Sequence, residues 1–198
     1  MENGVSRPGS AIIGHVLAHR PAADLLAGLD HVRASPPDHG RVELIVRRPG
    51  FGEREVLAAA ELTLEEGVAG DTWNQRPSRR TPDRSPHPDM QLNIINSRFS
   101  ALIADDEAHR AMAGDQLHVD LDLSIGNLPP GTQLAIGTAV VEVTDQPHTG
   151  CAKFTKRFGH DARRVANGDV GSLLRLRGIN AKVVVPGTIT AGDTITKR

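Results

Sequence analysis

Cys151 is the only cysteine in the 198-residue chain, and it sits in the densest chemistry the sequence offers. The segment Pro147 to Phe158 reads PHTGCAKFTKRF, with His148 three residues before the thiol and Lys153, Lys156 and Arg157 just after it. Cationic neighbours lower a thiol pKa, and the thiolate is both the nucleophile and a soft metal ligand. From Cys151 to Arg177, seven bases (Lys153, Lys156, Arg157, Arg163, Arg164, Arg175, Arg177) face two acids (Asp161, Asp169), a balance of +5. From Asp105 to Asp122, six acids (Asp105, Asp106, Glu107, Asp115, Asp120, Asp122) face Arg110. The net charge of −1 averages these two regions. A lone cysteine is often a small buried hydrophobe, and a basic run is often a solvated face. The basic neighbours and a place at a strand end favour a reactive thiol here.

Other candidates are sparser. Arg76, Arg79 and Arg80 form a cluster suited to clamping a phosphate or carboxylate, or to a solvated loop. His148-x-x-Cys151 is half of a zinc site, but the remaining donors, His87, Asp89 and His160, are scattered. Asp71, after Gly70, reads as a turn residue. Asp120 and Asp122 read as the wet face of a strand. The chain has no G-x-x-x-x-G-K-[ST], G-x-G-x-x-G, G-x-S-x-G or H-E-x-x-H, so no nucleotide cofactor is expected.

These residues need elements to hold them. Residues 1–10 read as a polar tail and 11–17 as a first strand. Pro21 to Leu29 reads as one or two helical turns. Arg41 to Arg47 alternates and predicts a strand. Glu53 to Thr63 suits a helix by propensity or a strand leading into Gly67. Residues 71–89 form a nineteen-residue polar stretch with four prolines, too long for an ordinary connection. Met90 to Ile95 predicts a strand, and Ser97 to Ala113 a helix capped by Ser97 and ended by Gly114. Gln116 to Leu123 alternates, with Leu117, Val119, Leu121 and Leu123 inward and His118 outward. Gln133 to Ile136 and Ala139 to Thr144 flank Gly137-Thr138 as a hairpin. Cys151 then falls in a loop, followed by a short helix at Asp161 to Val165. Ala181 to Val185 and Thr188 to Thr196 are the last strands. Short strands with Gly/Pro turns, not alternating with helices, predict a mostly β fold with peripheral helices, one domain over residues 11–198.

Composition excludes other classes. One cysteine rules out a disulfide within the chain and a Cys-only metal site. Near-zero net charge and 3% aromatic residues disfavour nucleic acid. No apolar run approaches a bilayer span, and no secretory signal is visible, so no membrane partner and a cytoplasmic location are expected.

The segment Glu142-Val143-Thr144-Asp145-Gln146-Pro147-His148-Thr149-Gly150-Cys151-Ala152-Lys153-Phe154 resembles the cysteine-bearing segment of MOSC domains. These are related to the C-terminal part of molybdenum cofactor sulfurases. Gly14-His15-Val16, Gly70-Asp71, Gln91 to Ile95, Asn127-Leu128, Ile136-Gly137 and Gly187 to Asp193 fit other pieces in the same order. The chain departs from the pattern at His148, where many members have Arg, at Gly150, where many have Pro, and at Gly126, where many have Glu. The resemblance implies a MOSC-type β-barrel and molybdenum–pterin chemistry at Cys151. The thiol would act as a persulfide sulfur carrier or as a thiolate ligand to molybdenum in a reductase of N-hydroxylated small molecules. It places His148 and Lys153 beside the thiol in catalysis, and Arg76, Arg79, Asn127, Lys156 and Arg157 around the cofactor. It implies a separate cysteine desulfurase or electron-transfer partner. A reading from another class is a non-catalytic barrel that binds an anionic small molecule.

Overall fold

The computed structural model describes residues 19–198; the expected tail at 1–10 and strand at 11–17 lie outside them. Helices α1 (Ala22–Ala27) and α2 (Leu29–Arg33) lead into β1 (Gly40–Arg47). Strands β2 (Glu55–Leu57), β3 (Ala59–Thr63) and β4 (Gly67–Val68) follow, so the ambiguous 53–63 stretch is β. The polar stretch at 71–89 carries only two short 3₁₀ turns, Trp73–Gln75 and Pro88–Met90. After β5 (Leu92–Asn96) come α3 (Ser97–Ile103), α4 (Glu107–Ala111) and β6 (Leu117–Asp120). The hairpin of β7 (Gln133–Ile136) and β8 (Ala139–Val143) precedes α5 (Ala152–Asn167) and α6 (Asp169–Leu173). The chain ends with β9 (Ile179–Val185), β10 (Gly187–Thr190) and β11 (Thr194–Lys197).

Seven strands close into a barrel in the order β1-β6-β5-β9-β8-β7-β11, with β11 returning to β1 through Gly40↔Ile195 and Arg41↔Thr194. Gly40 permits this closure, because a Cβ there would lie 2.3 Å from the Asp120 carbonyl oxygen. Among the described residues only the β5–β6 pair is parallel. A parallel pair needs a crossover, and α3 and α4 supply it. Strands β10, β3 and β4 form a small second sheet.

The strands bury alternate residues in two different cores. Ile94, Leu117, Val119, Val141 and Ala181 fill the barrel. Ile95 turns the other way, joining Phe99, Phe154, Phe158 and Leu25 in a layer beneath the helices. This second layer corrects the expectation for His118. It points away from the barrel, yet it is buried, because α3 covers it and Ser100 Oγ lies 3.0 Å from its Nδ1. The expected 97–113 helix is two helices broken at residues 104–106, where Ala104 is extended and Asp106 caps α4 through His109 N–H. Asn96, not Ser97, caps α3 by accepting Phe99 N–H at 3.0 Å.

The segment after Cys151 is also corrected. Instead of a loop and a short helix it is the helical run of α5, in which Phe154, Phe158, Ala162, Val165 and Ala166 face the second core. Gly159, at φ +91, kinks it; a Cβ there would come within 2.7 Å of His19 Cβ.

Burial, with the nearby Arg110 and Arg177, pushes His118 down to about 3. In the unfolded chain it titrates near 6.5. Below that pH the unfolded chain takes a proton that the folded one refuses, so His118 costs stability between pH 6.5 and about 3. The expected slope is up to about 1.4 kcal/mol per pH unit. Urea melts at successive pH values should show a shallower fall for His118→Gln than for the wild type. An identical slope would remove His118 as the cause.

Candidate active site around Cys151

Two buried ion pairs close the barrel end beneath the cysteine. Arg48 follows directly on β1, and Asp71 follows Gly70 after β4. Arg48 Nε and Nη2 each donate to the Asp71 carboxylate at 2.8 Å, and Arg48 N–H donates to it at 3.0 Å. These side chains are 5% and 0% exposed. Asp71 therefore is not only a turn residue, although it also accepts Trp73 N–H at 2.8 Å. Arg48 Nη1 reaches the Gly114 carbonyl at 3.1 Å and Asn93 Oδ1 at 3.3 Å. Beside this pair, Arg177 Nη1 donates to both oxygens of the fully buried Asp115 at 2.6 and 2.8 Å, and Nη2 to the Ala113 carbonyl.

His148 Nδ1 lies 3.6 Å from Asp115 Oδ1 and has no hydrogen-bond partner among the described residues. Burial first, and then Arg177 and Arg48, hold the imidazole well below its ordinary pKa. It is a neutral ring beside a carboxylate that Arg177 already satisfies.

The cysteine is fixed from both sides. Thr144, at the end of β8, donates through Oγ1 to the Asp89 carbonyl at 2.6 Å. Gly150 N–H donates to Asn167 Oδ1 at 2.8 Å, while Asn167 Nδ2 and Arg163 Nε donate to the Gly150 carbonyl at 3.0 Å each. Cys151 is the extended residue preceding α5, and its carbonyl accepts Thr155 N–H. The residue is exposed. Partial burial raises the thiol pKa, but the N–H groups of Phe154 and Lys153 and the charge of Arg177 outweigh it, so the thiol sits below its ordinary value. A thiolate at the first turn of a helix is stabilised by the unpaired N–H groups there.

Three further arginines gather here without a carboxylate partner among the described residues. Arg54 Nη2 lies 3.2 Å and Arg157 Nη1 3.7 Å from where a Cβ on Gly114 would stand. Gly114 has φ +89, and its missing side chain leaves room between the two guanidinium groups. Arg76 donates to Thr72 Oγ1 at 2.8 Å. Burial and then the repulsion of Arg157, Arg48 and Arg76 bring Arg54 down to about 10. Arg54 Nε is buried with no partner among the described residues. Buried acid is matched pair for pair, so Arg54, Arg76 and Arg157 leave an excess of positive charge at this end of the barrel, with Arg157 the one of the three that the sulfur touches electrostatically.

Of the residues singled out in the sequence, His148, Cys151, Arg76 and Arg157 come together at this end. Lys153 is exposed; its backbone N–H supports the thiol, while its ammonium stands 5.0 Å over the Phe51 ring. Lys156 is exposed on α5, and Arg79 is exposed in the 71–89 stretch and joins none of these contacts. Asn127 staples a turn, donating to the carbonyls of Pro37 and Asp122 and accepting from Lys197. Asp120 is paired with Arg98 at 2.7 Å. His87 Nδ1 accepts Asp89 N–H, and Asp89 pairs with Lys182; among the described residues no three His, Cys, Asp or Glu side chains are placed to hold a metal. Sequence reasoning missed Arg48, Arg54, Asp115, Asn93 and the buried Asn180, which accepts from Asn93 Nδ2 at 2.6 Å and donates to the Gln146 carbonyl at 3.1 Å. The doublet Arg47-Arg48, which breaks the alternation of β1 at its end, is the one local signal for Arg48.

A cavity of about 300 Å³ opens behind the cysteine segment, between residues 144–149, the α5–α6 junction and residues 175–180. His148 and Arg177 line it and also contact Asp115, so they partition it from the paired acids.

The sequence profile of the MOSC domain matches residues 88–196. The chain belongs to the MOSC domain family. No curated protein matches it. Among solved structures it is similar to YuaD of Bacillus subtilis, with a TM-score of 0.53 and 18% identity over 79% of this chain and 93% of that one. It is also similar to YiiM of Escherichia coli (TM-score 0.51, 22% identity, 80% and 69% covered) and YiiM of Geobacillus stearothermophilus (0.51, 15%, 80% and 75%). At these identities the likeness establishes the MOSC fold, which the closed seven-strand barrel matches. Among the described residues no helix is long and apolar enough to cross a membrane.

Two outcomes are expected. Asp71→Ala leaves a buried guanidinium unpaired and should destabilise the protein by about 3–5 kcal/mol in chemical denaturation. The double change Arg48→Met with Asp71→Leu should recover most of that loss; no recovery would mean that the pair's charge itself holds the fold. The rate of Cys151 alkylation by iodoacetamide should rise with pH through a midpoint below that of free cysteine, near 8.5. A midpoint at or above that value would remove the electrostatic account of the thiol.

Proposed function

We propose that this MOSC protein binds a molybdenum–pterin cofactor and that the Cys151 thiolate is the protein's ligand to the metal. The observation that carries this reading is the set of Arg54, Arg76 and Arg157 at the barrel end that bears the thiol, unmatched by carboxylates among the described residues, with Arg54 and Arg157 partly buried and Arg157 beside the sulfur. A persulfide carrier needs only an accessible thiol. A thiol with Arg157 beside it, and further unneutralised guanidinium groups at the same end of the barrel, suits a ligand that brings its own anionic phosphate.

The residues present fit such a group. Arg54 Nε and Arg177 Nε are buried polar atoms without a partner among the described residues. The space over Gly114 between Arg54 and Arg157 is one that any Cβ would narrow. When bound, the cofactor would supply two-electron oxygen-atom chemistry for reducing an N-hydroxylated small molecule. The chain supplies the rest. The N–H groups of Lys153 and Phe154 favour the Cys151 thiolate, so the thiol gives up its proton to a ligated metal more readily than a free cysteine does. Arg54, Arg76 and Arg157 bind the phosphate, with Lys156 and Arg79 at the exposed margin. His148 stays neutral at physiological pH, so it offers a hydrogen bond and not a charge. Electrons would come from a separate redox partner.

Cofactor and metal analysis of the wild type beside Cys151→Ala, expressed in a host that makes the pterin, tests this reading. About one molybdenum per chain is expected for the wild type and a large loss for the variant. Protein free of molybdenum that gains the mass of one sulfur on Cys151 after incubation with a cysteine desulfurase would favour sulfur carriage instead. If Cys151→Ala keeps full ligand binding and the thiol shows no chemistry, both cysteine-centred readings fail and an anion-binding barrel remains.

A further inference from the structure

The short helix α6 ends in a way that normally demands glycine. Leu176 N–H donates to the Gly171 carbonyl at 2.9 Å, and Arg175 N–H donates to the Ser172 carbonyl at 3.2 Å. These two bonds form a Schellman motif, whose left-handed residue is usually glycine because a Cβ is strained there. Here that residue is Arg175, at φ +47. A non-glycine residue in this conformation persists where its side chain has work to do.

The side chain of Arg175 lines the 300 Å³ cavity behind the cysteine segment. It is half-buried, and burial lowers its pKa. Its Nη1 donates to the Leu128 carbonyl at 2.5 Å, and it has no carboxylate partner among the described residues. Attraction to the carbonyl end of α6 would explain a cation at this position, but a solvated one would serve that purpose equally well. Other donors face the same space. Arg177 lines the cavity with its Nε unpartnered among the described residues, and the Ser172 hydroxyl makes only a 3.3 Å contact with the Asn167 carbonyl. Among the described residues the one acid in the wall, Asp145, is exposed and already accepts from Gln146 Nε2.

We propose that this cavity is a second anion site, in which Arg175 binds the phosphate or carboxylate group of a small molecule. Its volume exceeds that of a bare oxyanion, so it admits part of the molecule that bears the charge. The proposal does not rest on molybdenum binding, because its anion-binding residue Arg175 is not among those placed around the cofactor; His148 and Arg177 are the residues the two sites share.

The test is a titration of the ¹⁵N-labelled full chain with inorganic phosphate, and separately with acetate, at constant ionic strength set by chloride. In the wild type, saturable shifts are expected at the amides of Ser172, Arg175 and Gly178. Arg175→Gly suits the backbone conformation, so it should fold with an unchanged or higher Tm while binding at this site weakens by about tenfold or more. Whichever anion saturates the site identifies the preferred oxyanion. Shifts confined to the neighbourhood of Arg54 and Arg157, absence of saturation with both anions, or an Arg175→Gly variant that loses stability but keeps the shifts would each overturn the proposal. In the last case Arg175 would be a staple for the turn at Leu128.

Discussion

The paired burial of Arg48 with Asp71 and of Arg177 with Asp115 organises this end of the barrel. Each guanidinium neutralises one carboxylate and also binds a backbone carbonyl, at Gly114 and Ala113. The four charged residues come from four places in the chain: the end of β1, the turn after β4, the approach to β6 and the approach to β9. They therefore tie together segments that strand pairing alone leaves at separate corners. Burying such pairs is costly, and apolar residues of similar volume often hold a fold as well. What apolar residues do not provide is fixed positive potential. Of the guanidinium groups at this end, Arg177 is the one whose charge lowers the Cys151 thiol pKa, beside the N–H groups of Phe154 and Lys153; Arg157 also feels the sulfur, and Arg54 and Arg76 stand nearer Arg48 and Asp71.

The thiol gains from this field because of where the backbone puts it. Strand β8 delivers the chain to Thr144, and α5 takes it away again from Ala152. Between them, the side chain of Asn167 mimics a strand partner, bonding both the N–H and the carbonyl of Gly150. Arg163 adds a second bond to that carbonyl. The clamp comes from the far end of α5, so the helix whose first turn faces the sulfur also fixes the residue before it. Gly159 makes this geometry compatible with packing, because its kink lets both Phe154 and Val165 reach the same core.

Local signals made most strands legible: the alternation of Arg41 to Arg47, the run Met90 to Ile95, and the Gly137-Thr138 turn between β7 and β8. The MOSC family was legible in the ordered pieces around Cys151. Where sequence reading failed, a second layer or a distant partner decided the outcome. His118 obeys the alternation of β6, but its outward side is roofed by α3, so a position that looks wet is dry. The helix after Cys151 hides its period of Phe154, Phe158, Ala162 and Val165 among lysines, arginines and a glycine. Its apolar residues are few and widely spaced, and the basic ones draw attention to charge instead. Asp71 carries a turn signal that is real, since it caps Trp73 N–H. Its ion pair with Arg48 spans 23 residues and leaves no local trace.

That non-locality bears on His148. Where many members of the family have an arginine, this chain has an imidazole, which burial first, and then Arg177 and Arg48, keep uncharged. The cations in the sequence neighbourhood of Cys151 are therefore Lys153, Lys156 and Arg157 after it, and Arg177, 26 positions later, adds the charge that acts on the thiol from a distance. An arginine at residue 148 would stand against Asp115, which Arg177 already saturates, and beside Arg48 as well. Like charges in so dry a place repel strongly. The neutral ring avoids that repulsion while filling the same gap between β9 and the cysteine segment. The histidine and the two paired arginines are therefore one arrangement: Arg177 and Arg48 keep their carboxylates, and the ring between them stays a neutral wall of the cavity behind the cysteine segment.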